Sequence, residues 1–212
     1  KAVRILNDAW QDFKDYFDEK CRQYSKEMKT EKPEKEHWVC WSEFDLLTQL
    51  ARFYYKRLQG SGLDNVEMHI NERLSPGNFD DYEFYDNLKE VKEKLKRIPK
   101  SDLIIVFEDS LGPFILCAEA KALRYSVERG DRTVVSDLEK DKDTLLALRN
   151  HNICSHLAYI LLDDHYFIYE KKIAKKIERK LDEYNRKHGI MKLYHTSRAK
   201  IPLSCNVVGA RL

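Results

Sequence analysis

SDLIIVFEDSLGPFILCAEAK, residues 101–121, holds two short apolar runs, Leu103–Phe107 and Phe114–Ala118, on either side of a polar segment with Gly112 and Pro113. Runs of this length, rich in β-branched and aromatic residues and separated by Gly-Pro, read as two buried strands joined as a hairpin. With a loop at Glu108–Pro113, Phe107 pairs with Phe114, and the same register carried outward sets Asp102 opposite Glu119. Glu119 and Lys121 are two residues apart in one strand, so their side chains share a face. Directly opposed residues on an antiparallel ladder have Cβ atoms about 4.5–5.5 Å apart. The spacing therefore predicts two carboxylates and an ammonium gathered at one end of a buried hairpin.

Two carboxylates so close do not both ionise cheaply unless a cation lies between them. A hard divalent ion such as magnesium takes oxygen ligands and keeps several waters, so one or two protein carboxylates suffice. Such an ion acidifies a bound water, and a neighbouring lysine orients it. The alternative use of the same residues is a buried Asp–Glu–Lys salt-bridge network, and Glu-x-Lys by itself is a weak motif.

The stretch resembles the PD-(D/E)XK nuclease superfamily, whose pattern is an Asp at the start of one strand, a hairpin, and Glu-x-Lys late in the next. Here these are Asp102, Glu119, Ala120 and Lys121. The family's order of helix, strands, helix, strand fits residues 41–169, although Ser101 stands where the family usually has proline. The resemblance implies an α/β fold of the restriction-endonuclease-like kind: a central mixed β-sheet flanked by helices. It implies a magnesium- or manganese-dependent nuclease acting on DNA phosphodiesters. Asp102 and Glu119 would be metal ligands with the Ala120 carbonyl as a third oxygen, and Lys121 would activate or position water. The competing implication is a catalytically inactive fold of this type, serving as a nucleic-acid or protein interaction module.

Around this centre the chain divides into an N-terminal helical arm (1–32), a nuclease-like core (36–170) and a basic helix with a tail (171–212). In residues 2–29, Leu6, Trp10, Phe13, Phe17 and Cys21 recur at spacings of four and three, a stripe that suits packing on the body or on a second copy in a homodimer. Residues 30–36 (TEKPEKE) read as a linker. Ser42 is a good N-cap for a helix with Phe44, Leu47, Ala51, Tyr54 and Leu58 as its buried face. Glu43 in its first turn suits the helix dipole; the resemblance gives it a second use, reaching the metal site. Val66, Met68 and Ile70 alternate with Glu67 and His69 as a half-buried strand; Glu72 follows, with exposure the better-fitting reading and a place near the same cleft the other. SPGN at 75–78 is a turn before a charged helix over 80–97.

After a polar loop over 124–137, a helix is expected to about Asn150; the resemblance implies that it packs beside the metal site and offers polar residues toward a substrate, with Lys140, Lys142 and Arg149 as candidates whose facing the sequence leaves open. Leu157–Leu162 reads as a buried strand and 166–169 as a short edge strand. Residues 171–188 form an amphipathic helix with Ile177, Leu181 and Tyr184 inward, and the tail from Lys192 has no recognisable motif. Lys175, Lys176, Arg179 and Lys180 give that helix the strongest local positive field, suited to phosphate backbones.

Composition bounds these readings. The 212 residues carry Lys+Arg 38 against Asp+Glu 36, so affinity for nucleic acid must come from local patches. There is no apolar run near membrane-spanning length and no signal-peptide pattern, and five scattered cysteines suit reduced thiols; the expectation is a cytoplasmic protein without a membrane. His37-x-x-Cys40 and His151-x-x-Cys154, with His156 nearby, offer zinc-ligand types, but zinc pairs more often come as Cys-x-x-Cys; buried thiols and ordinary histidines fit better. Phosphate-cradling Gly-rich loops, Gly-x-Ser-x-Gly and dinucleotide fingerprints do not occur, which disfavours NTP-driven, acyl-transfer and redox enzymes.

Overall fold

A computed structural model describes residues 1–27, 40, 42–63, 65–74, 82–97, 99–109, 112–124, 131–164 and 171–196. The expected linker at 30–36, the turn at 75–78, the edge strand at 166–169, His37 and the tail beyond 196 lie outside the described residues. The elements run α1 (Ala2–Glu27), α2 (Glu43–Leu58), β1 (Val66–Arg73), α3 (Tyr82–Leu95), β2 (Lys100–Asp109), β3 (Gly112–Arg124), α4 (Asp131–Asn150), β4 (His156–Asp164), α5 (Lys171–His188) and β5 (Ile190–Thr196). The five strands form one mixed sheet in the order β1-β2-β3-β4-β5.

The apolar runs pair in the expected register. β2 and β3 are antiparallel with Phe107 opposite Phe114 and Leu103 opposite Ala118, and the two phenyl rings stack at 5.5 Å. The strands continue further than expected, to Asp109 and from Gly112, so the turn is tighter than a Glu108–Pro113 loop. β1 joins antiparallel on the other side of β2. β3–α4–β4 and β4–α5–β5 are crossovers that leave β3, β4 and β5 parallel, because a parallel pair needs a connection long enough to return to the same sheet end.

Strand alternation sends two apolar sets to opposite faces. Leu103, Ile105, Ala118, Ala120, Ala158 and Ile160 meet α1 and α2; Ile104, Cys117, Leu157, Tyr159 and Leu161 meet α3, α4 and α5. The result is a three-layer α/β sandwich. The α1 stripe is buried within the chain: Leu6, Phe13 and Phe17 are fully covered, and Arg57 of α2 holds Asp12 of α1 through both carboxylate oxygens at 2.5 and 2.6 Å. It is a layer of the sandwich and not an arm, so its apolar face is not open to a second copy. Ser42 caps α2 by accepting the Asp45 N–H at 3.1 Å, but Phe44 is 60% exposed, so the buried face is Leu46, Leu47, Leu50 and Tyr54.

Two further expectations change. α4 begins at Asp131, earlier than the expected start near 137, and its first turns bury Val134. The segment after Gly189 is a strand, β5, with Ile190 and Leu193 buried against β4. Gly189 has φ +61, the left-handed conformation that ends a helix with little cost for glycine.

Candidate active site

β2 and β3 part company where the charges begin. Their ladder stops at Leu103↔Ala118, one pair short of Asp102 and Glu119. Side chains take over the freed backbone groups. Ser101 Oγ lies 2.9 and 3.0 Å from the carbonyl oxygens of Leu103 and Ala118, between which its single O–H is shared. Asp102 Oδ2 accepts the Ala120 N–H at 2.9 Å. This fixes Asp102 beside β3 and leaves its second oxygen clear of that bond.

Alternation then places Asp102, Glu119 and Lys121 on the face covered by α3, α4 and α5. Glu119 is 7% exposed. Its carboxyl is pushed well above the usual carboxylate range, first by burial and then by the charges of Asp102 and Asp141 and a hydrogen bond with Asp102; Lys121 pulls the other way and loses. Burial would lower the Lys121 ammonium, but Asp141, Glu43, Asp102 and Glu119 together outweigh it and raise its pKa. Lys121 is therefore a permanently charged donor and not a proton acceptor at neutral pH. Its Nζ lies 3.3 Å from Asp141, 3.8 Å from Glu43 and 3.1 Å from the Ala120 carbonyl, to which it donates.

Asp141 is the member the sequence reading missed. It projects from α4 and accepts the Tyr159 hydroxyl of β4 at 2.8 Å, which holds its carboxylate against Lys121. Burial and the Asp141 charge keep that phenol protonated well beyond its ordinary range. The signal was present: Leu138, Asp141, Leu145 and Leu148 follow one helical stripe, with Asp141 its one charged member.

The other expected residues separate into two groups. Glu43 does reach the cluster, through Lys121. Glu72 does not: it pairs with Ser101 in the ladder, which places it on the opposite face from Asp102. Lys142 is taken by Glu139 at 2.6 Å and Asp143 at 3.2 Å, Lys140 is exposed, and Arg149 donates to the His188 carbonyl at the end of α5 at 2.5 Å. On α5, Lys175, Lys176 and Arg179 are exposed and have no ion pair among the described residues. Lys180 instead pairs with Glu139 of α4 and lies over the Tyr184 ring. Although burial opposes it, Lys142 and Lys180 hold the Glu139 carboxyl down to about 2.

Among the described residues, no group of three or more His, Cys, Asp or Glu side chains is arranged to hold a metal ion. The expected ligand set has two carboxylates and a carbonyl, which falls outside such a grouping. It suits a hard cation that keeps much of its water. Cys154 lies in the core beside Cys117, and Cys40 lies in the core on the other side of the sheet. His151 meets Glu90 at 2.9 Å and His156 meets Ser155. The two His-x-x-Cys segments thus send their thiols to different places, and Cys21, Cys40, Cys117 and Cys154 are all buried.

Among the described residues no helix is long and apolar enough to cross a membrane. Set against models of known families, against curated proteins and against solved structures, the chain finds no match.

Proposed function

We propose that this chain is a metal-dependent nuclease of the restriction-endonuclease-like kind, hydrolysing phosphodiester bonds in DNA. One observation carries the proposal. Four carboxyl groups, Glu43, Asp102, Glu119 and Asp141, surround one ammonium, Lys121, and the most buried of them, Glu119, has its carboxyl pushed well above the usual range, first by burial and then by Asp102 and Asp141. Folding alone gives no reason to place Glu119 there; a divalent cation between it and Asp102 would. The chain runs α2, β1, α3, β2, β3, α4, β4, which contains the helix, strands, helix, strand order the resemblance implies with α3 added between β1 and β2, and the β2–β3 register ends at Leu103↔Ala118, one pair before Asp102 and Glu119.

A bound magnesium or manganese ion would supply an acidified water and offset charge on the phosphate. Asp102, Glu119 and the Ala120 carbonyl are the oxygen groups that would hold it. Lys121 stays an ammonium and positions water and phosphate oxygen through its N–H groups. Asp141, braced by Tyr159, keeps Lys121 in place, and Glu43 holds it from α2.

One observation favours the alternative of an inactive fold that serves as an interaction module. Lys121 Nζ already occupies the Ala120 carbonyl at 3.1 Å, as it would in a finished salt-bridge network. Cleavage of plasmid and linear DNA with magnesium or manganese, beside EDTA controls, separates the two. Glu119→Gln and Asp102→Asn are expected to lower the rate roughly a hundredfold or more, since each removes charge stabilisation at the reacting centre. Lys121→Ala is expected to retain metal binding by calorimetry while turnover falls. A parent that neither binds the ions nor cuts overturns the nuclease reading.

A further inference from the structure

Arg73, the last residue of β1, lies directly across the ladder from Lys100, the first of β2. Opposed residues of an antiparallel pair point to one face, and like charges there are destabilising. Both side chains are exposed, and among the described residues no carboxylate is paired with either. Lys100 precedes Asp102 by two residues, so alternation sets Arg73, Lys100 and Asp102 on the same face of the sheet.

Arg97 adds a third positive group from the turn between α3 and β2. Its Nη2 donates to Thr144 Oγ1 at 2.9 Å, and Thr144 stands one helical turn beyond Asp141 on α4. The segment KEKLKRIPK, 92–100, carries five bases against Glu93 alone. Topology explains why they meet: β1 ends, β2 begins and the parallel β3 and β4 finish at the same edge of the sandwich. In open α/β sheets, ligands bind beyond the carboxyl ends of the parallel strands. α5, which follows β4, begins at that same end and brings Lys175, Lys176 and Arg179 to the far flank.

We infer that Arg73, Arg97 and Lys100 form a phosphate clamp that leads the backbone of a DNA strand to the Asp102–Glu119 site. The inference rests on the nuclease reading for its destination, and on the unrelieved Arg73–Lys100 pair for its ligand. A polyanion bridging the two bases sets opposite charge between them and releases counterions, which screening by water does not do.

Fluorescence anisotropy of a labelled DNA duplex in EDTA, over a salt series, tests it apart from catalysis. Arg73→Gln with Lys100→Gln is expected to weaken binding and to flatten the slope of log affinity against log salt by about 0.9 for each phosphate no longer neutralised. In cleavage assays the same double variant should raise KM and leave kcat near the parent value. Arg73→Glu supplies a fold control, because it converts the repulsive pair into an attractive one: its Tm should rise while DNA affinity falls. A parent that binds DNA through these residues but never cleaves it upholds the clamp and removes the nuclease. A parent that cleaves, with variants unchanged in KM, affinity and salt slope, removes the clamp and keeps the nuclease. A parent that binds no DNA even at low salt overturns both.

Discussion

On one face of the sheet, Phe13, Phe17, Leu46 and Leu50 close over Leu103, Ile105, Ala118 and Ala120 with apolar surface on both sides. On the other face, the next residues along the same strands are Asp102, Glu119 and Lys121, met by Asp141 from α4 and Tyr159 from β4. The two faces belong to the same strands and share a backbone, so strand propensity cannot account for the contrast. The first is filled as packing requires, with aromatic rings against one another: Phe13 stacks on Trp10 at 5.2 Å and meets Phe17 at 6.0 Å. The second contains a buried acid whose neighbours are mostly acids. A protein with a core this complete on one side gains nothing in stability from that arrangement on the other. The contrast is what the proposed function draws on: it places the site on the second face.

The largest effect on stability should therefore come from the first face, and substitutions on the second should have the opposite sign. Phe13→Ala removes a fully buried ring and is expected to cost about 3–5 kcal/mol. Glu119→Gln keeps the volume and removes the titrating group, so in metal-free buffer it is expected to raise Tm. The pH dependence separates charge from packing. Glu119 has a folded-state pKa raised above its ordinary value of 4.5, so between these values the folded chain binds more protons than the unfolded one. Stability then falls as pH rises from about 4.5, and the penalty is complete above the folded-state value. The Tm advantage of Glu119→Gln should accordingly grow with pH, while the loss from Phe13→Ala stays level. Thermal scans at several pH values check both; a Glu119→Gln variant less stable than the parent at neutral pH would break the contrast and restore the salt-bridge reading.

How much of this was legible before the fold was known follows the same division. The hairpin and its register were readable because each strand has a period of two and the turn is bounded, so one assumed pair fixed all the others. That placed Asp102, Glu119 and Lys121 together without any tertiary information. Asp141 was not readable with the same ease, because in a helix as charged as α4 the buried face is defined by a few leucines, and Asp141 stands among them. The role of Lys180 depended on which residue of α4 faces α5, a matter of helix docking that local pattern does not encode. β5 escaped because it is short and alternates poorly: only Ile190 and Leu193 are buried. The exposure of Phe44 shows the converse, an apolar residue at helical spacing that packing leaves outside.

The α5 helix sharpens the comparison at a smaller scale, since its bases divide between solvent and structure. Reversing Lys175, Lys176 and Arg179 removes exposed charge and should weaken DNA binding and flatten its salt dependence while leaving stability within about 0.5 kcal/mol of the parent. Lys180→Glu behaves otherwise, because it turns the Lys180–Glu139 pair between α5 and α4 into a repulsion. It is expected to lower Tm. Equal effects from all four positions would show that the division between exposed and docked bases has no energetic content.

The smallest effect concerns backbone, again on the charged side. Asn71 has φ +62 near the C-terminal end of β1, and the ladder between β1 and β2 omits its pairing with Asp102 while keeping Ile70↔Leu103 and Glu72↔Ser101. Left-handed backbone costs an ordinary L-residue about 1–2 kcal/mol, and asparagine less because its short polar side chain bonds locally. The distortion lies directly beside the strand position that carries Asp102, where the sheet also loses its β2–β3 pairing. Asn71→Ala is expected to cost about 1 kcal/mol, and Asn71→Gly, which adopts the same φ freely, to change stability by less than about 0.5 kcal/mol. Urea midpoints at constant m-value measure both. Should alanine prove as stable as asparagine, the strained backbone would be irrelevant to the difference between the faces; should glycine and alanine both hold stability but weaken magnesium binding, the distortion would be serving to aim Asp102.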